Sequence, residues 1–283
     1  MRDNGVLWVI IGMNVMDMFK LNGKVALITG GARHLGRDMA NALAEAGSDL
    51  VITSRTLSNA EISAEEIKKM YGIEVLPLEL DQSNHANVSQ TVKKAYEWKG
   101  HIDILINNAG GGGGSTSAPA HLFKRNPKDA ENLISVNLIG ALHCCQEVAK
   151  LMAEQKSGKI INIASIAGIV GRDRRMYERL NMNGQPVDYA AAKGGVIGMT
   201  LDLAGLLSPM GICVNAISPG GFTGPTRGMN DAFREAYSDR TPTGHMGRDE
   251  VDIKGAALFL ASPASDYVTG QNLIVDGGFS IWQ

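Results

Sequence analysis

The chain has 283 residues, of which 44% are hydrophobic and 20% are charged, and its formal net charge is −2. This balance is typical of a globular protein with a sizeable core, and the small net charge argues against nucleic acid or a membrane surface as a partner. The three cysteines, Cys144, Cys145 and Cys213, do not form a disulfide framework by number or spacing. We therefore expect a cytoplasmic location.

The N-terminal residues 1–20 precede the first predicted element. Their apolar stretch, residues 6–13, is too short to span a bilayer as a helix, and its flanks do not match a secretory signal. We interpret residues 1–20 as an extension of undetermined role. Residues 21–283 are predicted to form one domain, because no linker-like segment and no internal repeat interrupts them.

Short apolar runs alternate with longer helical patterns along this domain. The predicted strands span residues 24–29, 49–54, 74–80, 104–107, 159–165, 213–218 and 272–276. The predicted helices span residues 34–47, 60–71, 85–98, 129–155, 189–207 and 249–261. Strands that are apolar almost throughout are typical of a parallel sheet covered on both faces. The pattern predicts an α/β fold: one doubly wound, Rossmann-type parallel sheet of about seven strands with helices on both faces.

A glycine-rich turn, TGGARHLG at residues 29–36, joins the first strand to the first helix. Such a turn brings backbone N–H groups to a pyrophosphate at the helix N-terminus. The second strand ends in Ser54 and Arg55, where an acidic residue would otherwise hold the ribose 2′-hydroxyl of NAD(H). Arginine offers a planar cation to a 2′-phosphate, so we expect NADP(H) to be preferred, with NAD(H) as the alternative. Arg33 is a second candidate ligand for that phosphate.

From residue 24 to residue 278 the chain resembles the short-chain dehydrogenase/reductase family. The family motif T-G-x-x-x-G-x-G is matched except at its middle glycine, where His34 would crowd the phosphates or turn toward solvent. Asp81, the N-N-A-G segment at residues 107–110, and Pro219 with Gly220 also match. The resemblance implies that these residues contact the adenine, border the cofactor and flank the nicotinamide, respectively.

The family usually has a threonine at the position of Gly224, and Thr223 is the nearest substitute. No metal site is expected. The residues that we expect to bind the cofactor are Gly30, Arg33, His34, Leu35, Gly36, Ser54, Arg55, Asp81, Gln82, Asn108, Ala109, Gly110, Tyr189, Lys193, Pro219, Gly220 and Thr223.

Two tyrosines compete for the catalytic position that the family places after a serine on the fifth strand. Ser165 fits that serine, and Tyr177 follows it at the usual distance of twelve residues, but Asn181 stands four residues further on. Tyr189 is followed by Lys193, which completes the family pattern Y-x-x-x-K. Because an ammonium one helical turn away favours the phenolate, Lys193 is expected to lower the pKa of Tyr189 from its usual value of about 10. Tyr189 is therefore the predicted acid.

The resemblance also implies the roles of the other catalytic residues. Tyr189 would protonate the carbonyl oxygen during reduction and act as the base during oxidation. Ser165 would orient the reacting oxygen, and Lys193 would bind the nicotinamide ribose. Asn137 would support a proton relay to Lys193. Each residue alone has an ordinary structural interpretation, but the four in family order make that interpretation improbable.

The segment between Ser165 and Tyr189 is about eleven residues longer than in most family members, and the excess lies within residues 171–187. The segment has four arginines against two acidic residues and lies where the family forms its substrate pocket. Because arginine binds carboxylates through paired hydrogen bonds, Arg172 and Arg175 are candidate substrate ligands, together with Tyr177. A longer solvated loop is an equally weighted alternative.

The predicted function is that of an NADP(H)-preferring oxidoreductase that interconverts a secondary alcohol and a ketone, with a sugar acid or polyol as substrate. A 3-oxoacyl-acyl-carrier-protein reductase is an alternative, because KIINIAS and LASPASDYVTGQ resemble both branches. A catalytically silent NADP(H)-binding regulator is an alternative from another class. Family members are commonly homotetramers or homodimers that pair through helices placed here at 129–155 and 189–207. Residues 110–114 and 221–244 are expected to be mobile loops beside the pocket.

Overall fold

The computed structural model describes residues 14–111, 121–224 and 228–282. Its strands are β1 (Val25–Ile28), β2 (Asp49–Ser54), β3 (Val75–Glu79), β4 (Ile104–Asn107), β5 (Gly158–Ile163), β6 (Ile212–Pro219), β7 (Phe222–Thr223), β8 (Gly247–Arg248) and β9 (Asn272–Val275). Its α-helices are α1 (His34–Glu45), α2 (Leu57–Tyr71), α3 (His85–Lys99), α4 (Pro127–Ile134), α5 (Gly140–Gln155), α6 (Arg175–Arg179), α7 (Val187–Leu207), α8 (Asp231–Ser238) and α9 (Lys254–Ala261).

The central sheet has seven parallel strands in the order β3-β2-β1-β4-β5-β6-β9, which confirms the predicted doubly wound fold. From β1 the chain adds strands first toward one edge of the sheet and then, from β4 onward, toward the other edge. The two halves meet between β1 and β4, where Ile28 is in register with Ile106. In open α/β sheets, ligands bind outside the carboxyl ends of the strands at this switch point. The short parallel pair β7–β8 forms a separate two-stranded sheet that the sequence did not indicate.

Alternation along the strands divides the core into two layers. Ala26 and Ile28 point to the face covered by α1 and α9, whereas Val25 and Leu27 point to the face covered by α3 and α5. Successive side chains of a strand point to opposite faces, so a strand that is buried on both sides must be apolar at every position. Burial of each such large aliphatic side chain contributes about 1.5–3 kcal/mol.

The helix predicted over residues 129–155 is divided by a π-helical turn, Ser135–Ile139, which lies between α4 and α5. The segment 221–244, predicted as a mobile loop, contains α8, and the insertion contains the short helix α6. Of the predicted mobile glycine run, residues 112–114 lie outside the described residues, as do residues 1–13 of the N-terminal extension. Residues 14–20 include a 3₁₀ turn, Val15–Phe19.

Helix α7 has tight contacts with both the sheet and α4. Asp188, in its first turn, forms an ion pair of 2.8 Å with Arg125, and these side chains are only 5% and 7% exposed. Further along, the Thr200 hydroxyl accepts a hydrogen bond from the Asn162 amide of β5. The stretch Val187–Met210 is long and apolar enough to cross a membrane by length and composition. A helix packed on the core of a globular protein has the same composition, and the contacts of α7 with β6 place it in that class.

Candidate active site

The turn after β1 lies directly against the segment after β4. The Thr29 hydroxyl accepts hydrogen bonds from the backbone N–H groups of Asn108 (3.0 Å) and Ala109 (2.9 Å). The Asn108 side chain donates in return to the carbonyl oxygens of Thr29 and Gly30. A Cβ atom at Gly36 would lie 2.2 Å from the Gly30 oxygen, so no side chain fits there. This arrangement leaves the N-terminus of α1 open to a pyrophosphate, which the predicted glycine turn requires.

His34 takes the place of the family's middle glycine and has a backbone conformation that glycine favours. Its φ of 49° lies in the left-handed region that glycine favours, and its side chain is exposed. For a residue with a Cβ atom this conformation costs about 1–2 kcal/mol. The neighbouring Leu35 packs against the core. The exposed side chain of His34 thus departs from the family motif at a position whose backbone remains compatible with glycine.

Arg33 and Arg55 are exposed near the carboxyl ends of β1 and β2. Within the described part of the chain, no ion pair or hydrogen bond occupies either guanidinium group. By contrast, the guanidinium of Arg37, one turn into α1, donates to Ser63 at 2.6 Å and to Glu66 at 2.9 Å. Two free cations next to the glycine turn provide the charge that a ribose 2′-phosphate requires.

Asp81 and Gln82, which follow β3 and are predicted to bind the cofactor, have different environments. Asp81 is exposed, and its carboxylate accepts hydrogen bonds from the backbone N–H and hydroxyl of Ser83. Gln82 is buried, and its amide donates to the carbonyl oxygens of Ala109 (2.8 Å) and Val136 (2.7 Å). The side chain of Gln82 thus fastens the segment after β4 to the π-helical turn that carries Asn137.

Asn137 lies in the middle of that π-helical turn and is buried. Its amide donates to the carbonyl oxygens of Leu133 and Gly111, and its side-chain oxygen accepts the Gly111 N–H at 3.0 Å. Within the described residues its side chain makes no hydrogen bond to Lys193. Asn137 therefore positions Gly111, next to Gly110, and its support of a proton relay to Lys193 stays a prediction.

Ser165, Tyr189 and Lys193 come together at the carboxyl end of β5. Ser165 caps a 3₁₀ turn by accepting the Ala167 N–H. Its hydroxyl lies close enough to Tyr189 to lower the pKa of that phenol. Lys193 lies one turn after Tyr189 in α7, and its Nζ is 5.8 Å from the centroid of the Tyr189 ring. The same Nζ donates to the Ile163 carbonyl oxygen at 2.7 Å. The sequence order thus corresponds to one compact group of side chains.

Burial controls the proton affinities of this group. Tyr189 and Lys193 are only 8% and 5% exposed. Loss of hydration raises the pKa of Tyr189 above its usual value, although the Ser165 hydrogen bond and the charge of Arg172 act in the opposite direction. The pKa of Tyr189 is thus raised overall and not lowered as predicted, because burial has the largest effect. Burial also lowers the pKa of Lys193 to about 8.

Tyr177 lies in α6, and its ring packs against Phe233 of α8 at 5.3 Å. It belongs to an apolar cluster that joins the insertion to α8 and includes Met176, Tyr237 and Met246. Burial within this cluster raises the pKa of Tyr177. Through these contacts, Tyr177 packs the insertion against α8.

The two candidate arginines of the insertion have different partners. Arg175 is exposed and donates to both oxygens of Asp173, a carboxylate that also pairs with Arg240. Arg172 is half-buried and donates to the backbone oxygen of Gln185 at 2.8 Å and to its side-chain oxygen at 2.5 Å. Of these two arginines, Arg172 has no acidic partner among the described residues, and its charge acts on Tyr189.

The segment after β6 is held by a residue that the sequence analysis missed. The Tyr237 hydroxyl accepts the Gly221 N–H at 2.6 Å, directly after Pro219 and Gly220, and its ring stacks on Phe279. No sequence signal marked Tyr237, because α8 was predicted as a loop. Thr223 lies in β7, and its carbonyl oxygen accepts the Asp249 N–H.

Gly224 replaces the family threonine for a steric reason. A Cβ atom at this position would lie 2.4 Å from a carboxylate oxygen of Asp249. A threonine therefore does not fit unless Asp249 moves. This leaves Thr223 as the nearest hydroxyl for the role that the family gives to that threonine.

Comparison with known proteins agrees with this geometry. A family model described as enoyl-(acyl carrier protein) reductase matches residues 30–280. The chain is 33% identical over 260 residues to a 3-oxoacyl-(acyl-carrier-protein) reductase of Aquifex aeolicus, with 92% of this chain and 98% of that protein covered. The chain belongs to the short-chain dehydrogenase/reductase family. Members of this family are oxidoreductases that act on CH–OH and keto groups with NAD(P).

Two solved structures of the family illustrate its range of ligands. A gluconate 5-dehydrogenase from Burkholderia cenocepacia, in complex with NADP and tartrate, is 35% identical, has a TM-score of 0.84, and covers 95% of this chain and 99% of its own. A 7α-hydroxysteroid dehydrogenase in complex with NADH and 7-oxo glycochenodeoxycholic acid is 29% identical and has a TM-score of 0.83. The match covers 94% of this chain and 98% of that protein. Short-chain dehydrogenases/reductases that are similar to this chain thus hold either cofactor.

We predict that Lys193→Met changes how the stability of the cofactor-free protein depends on pH. The pKa of Lys193 is lowered from 10.5 to about 8, so the unfolded chain binds more protons than the folded protein between these values. The resulting cost to folding is fully present below pH 8 and disappears above pH 10.5. The free energy of unfolding of the variant, relative to wild type, should therefore fall by up to about 3 kcal/mol from pH 7.5 to pH 10.5.

Urea unfolding at several pH values measures this difference. Lys94→Met is the matched control, because Lys94 is exposed on α3. A difference between Lys193→Met and wild type that stays constant with pH would contradict the prediction.

Proposed function

We propose that the protein is an NADP(H)-preferring oxidoreductase that interconverts a secondary alcohol and a ketone. The observation that carries this proposal is the group formed by Ser165, Tyr189 and Lys193 at the carboxyl end of β5. The free guanidinium groups of Arg33 and Arg55 support the choice of cofactor. Ser54 supports it too, because it stands where an acidic residue would repel a 2′-phosphate.

The nicotinamide cofactor supplies or accepts the hydride when it is bound. Tyr189 donates its hydroxyl proton to the carbonyl oxygen during reduction and removes the alcohol proton during oxidation. Ser165 donates a hydrogen bond to the same oxygen and holds it in line with Tyr189. The Lys193 ammonium stabilises the phenolate that remains after proton transfer. Burial of the group excludes water and strengthens each of these interactions.

We predict that Tyr189→Phe lowers kcat by about 10²–10⁴-fold while NADPH still binds, because only the proton donor is removed. Tyr177→Phe should keep kcat within about tenfold, because its ring packing is unchanged. Steady-state kinetics and fluorescence titration of NADPH measure the two effects. A silent regulator would bind NADPH and turn over no carbonyl or alcohol even as wild type. Equal losses of kcat in the two variants would contradict the assignment of the acid.

We predict that wild type binds NADPH more tightly than NADH, and that Arg55→Ala removes most of this preference. Loss of a charge-assisted contact to the 2′-phosphate should weaken NADPH binding about 10- to 100-fold. NADH lacks that phosphate and acts as the control ligand, so its affinity for the variant should stay within about twofold of that for wild type. Fluorescence titration of both cofactors measures these values. Equal affinities of wild type for the two cofactors would refute the preference.

A sugar acid or polyol is the proposed substrate class, and it is supported by the likeness to the gluconate 5-dehydrogenase and by the arginines of the insertion. A 3-oxoacyl-acyl-carrier-protein reductase is the second candidate, because a relative with that name is similar over 98% of its length. Acetoacetyl-coenzyme A and 5-ketogluconate, compared as substrates with NADPH, distinguish the two. Efficient reduction of the thioester alone would favour the second candidate.

We propose a homotetramer or homodimer that pairs through the faces of α5 and α7. Leu142, Leu201 and Leu206 on these helices are exposed, and apolar side chains grouped on a helix face are typical of an interface. Leu201→Glu should lower the molar mass measured by light scattering, because the charge would be buried on association. Ile62→Glu on α2, equally exposed, is the control and should leave the mass unchanged. An unchanged mass in both variants would place the interface elsewhere.

We infer a cytoplasmic location from the thiols. Cys144, Cys145 and Cys213 are free, and the first two are buried. Burial raises the pKa of Cys145 to about 12, which keeps it protonated and unreactive at neutral pH. Recovery of the protein in the cytosolic fraction of its cells would check this inference.

A further inference from the structure

Most arginines in the described part of the chain are paired with an acidic residue. The paired ones are Arg37, Arg125, Arg175, Arg234, Arg240 and Arg248. Arg172 differs, because its hydrogen bonds go to the backbone and side chain of the neutral residue Gln185. A neutral partner orients the guanidinium group without cancelling its charge. Arginine has five N–H donors, so donors remain for a further acceptor.

Arg172 lies within electrostatic reach of three phenols. Its charge opposes the burial that raises the pKa of Tyr177, Tyr189 and Tyr237. Tyr189 is the proposed acid, and Tyr237 binds the backbone beside Gly220. The charge of Arg172 thus acts both on the proposed acid and on the tyrosine that holds the segment after β6, and its guanidinium lies 5.8 Å from the centroid of the Tyr177 ring.

A cavity of about 330 Å³ lies at the base of the insertion. Its walls are the segment that follows Ser165, the start of α7, and the side chains of Arg172 and Arg174. None of its lining residues is acidic. The volume suits a small molecule of a few polar groups, and the two arginines make the cavity electropositive.

The insertion is held firmly enough to position Arg172. Met176 is buried against α8 in the apolar cluster with Phe233 and Tyr237. Asp173, next to Arg172, links Arg175 to Arg240. Because these supporting contacts are made within the protein itself, little ordering is required when a ligand binds.

We propose that Arg172 binds a carboxylate of the substrate and makes the protein selective for hydroxy acids and oxo acids over their uncharged analogues. This inference rests on the proposed function. Two N–H groups of Arg172 form parallel hydrogen bonds to the carboxylate, while the ketone or alcohol of the same molecule lies at Tyr189 and Ser165. Arg175 has no part in this recognition, because Asp173 already occupies it.

The test compares oxo acids, whose ketone and carboxylate are two to four carbons apart, with their methyl esters. For wild type with NADPH, kcat/KM for the best acid should exceed that for its ester at least tenfold. Arg172→Gln should lower this ratio about 10- to 100-fold, mainly through KM for the acid, because a hydrogen-bonded charge is lost. Arg179→Gln is the control: Arg179 is exposed on α6, and its variant should keep the wild-type ratio.

Binding gives a second readout that does not depend on turnover. The same acid and ester are titrated calorimetrically into the complex of the protein with NADP⁺, which cannot reduce them. The acid should bind wild type at least tenfold more tightly than the ester does, and Arg172→Gln should remove this difference. Arg172→Lys keeps the positive charge but lacks the planar guanidinium group, so this variant should recover part of the difference in affinity between acid and ester.

The outcomes separate this inference from the proposed function. The role of Arg172 would be overturned if wild type turned over the ester as efficiently as the acid, or if the acid-to-ester ratio of kcat/KM were unchanged in Arg172→Gln. Neither result would contradict the proposed oxidoreductase activity. An equal loss in Arg179→Gln would also overturn it, because the effect would then be a general one of surface charge. Turnover of neither acid nor ester, together with selective binding of the acid that requires Arg172, would refute the proposed function and support the carboxylate site.

Discussion

The burial of the Lys193 ammonium is the constraint on which the site depends. Among the residues that the structure describes, its Nζ has one acceptor, the Ile163 carbonyl oxygen at the end of β5. A buried cation with so few partners is unfavourable, and the lowered pKa of Lys193 expresses this cost. The cost is typical of catalytic groups, which are placed where their charge is poorly solvated so that it acts strongly on a neighbour. Tyr189 is that neighbour.

The rest of the structure holds α7 so that this unfavourable arrangement persists. The buried pair of Arg125 and Asp188 fixes the first turn of α7, and loss of one partner in such a pair costs about 3–5 kcal/mol. Gly168 permits the close approach of the segment after Ser165, since a Cβ atom there would lie 2.6 Å from the Gly194 nitrogen. Tyr189 thus directly follows the residue of α7 that this buried pair anchors.

The sequence was sufficient to predict the sheet and the spacing of Tyr189 and Lys193 on one helix, because both depend on local patterns. Seven apolar runs became seven strands, and Y-x-x-x-K placed Tyr189 one turn before Lys193. The direction of the Tyr189 pKa was not predictable in this way. It depends on how deeply the ring is buried, which is a property of the packing of α4, the π-helical turn, α7 and the segment after Ser165 together. Helix α8 was missed for a similar reason, because glycines near both ends of segment 221–244 obscured the short apolar face that Phe233 and Tyr237 present to α6.

The arginines show most clearly what sequence alone leaves open. Arg172 and Arg175 are equivalent candidates by composition, and only their partners separate them: a carboxylate for Arg175 and an amide for Arg172. Pairing with Asp173 turns Arg175 into a structural link, whereas pairing with Gln185 leaves Arg172 oriented and charged. The same distinction separates Arg37, which pairs with Glu66, from the free Arg55. In a protein of near-zero net charge, an arginine that is held in place without an acid identifies where an external anion would bind, because the fold itself has left that charge unbalanced.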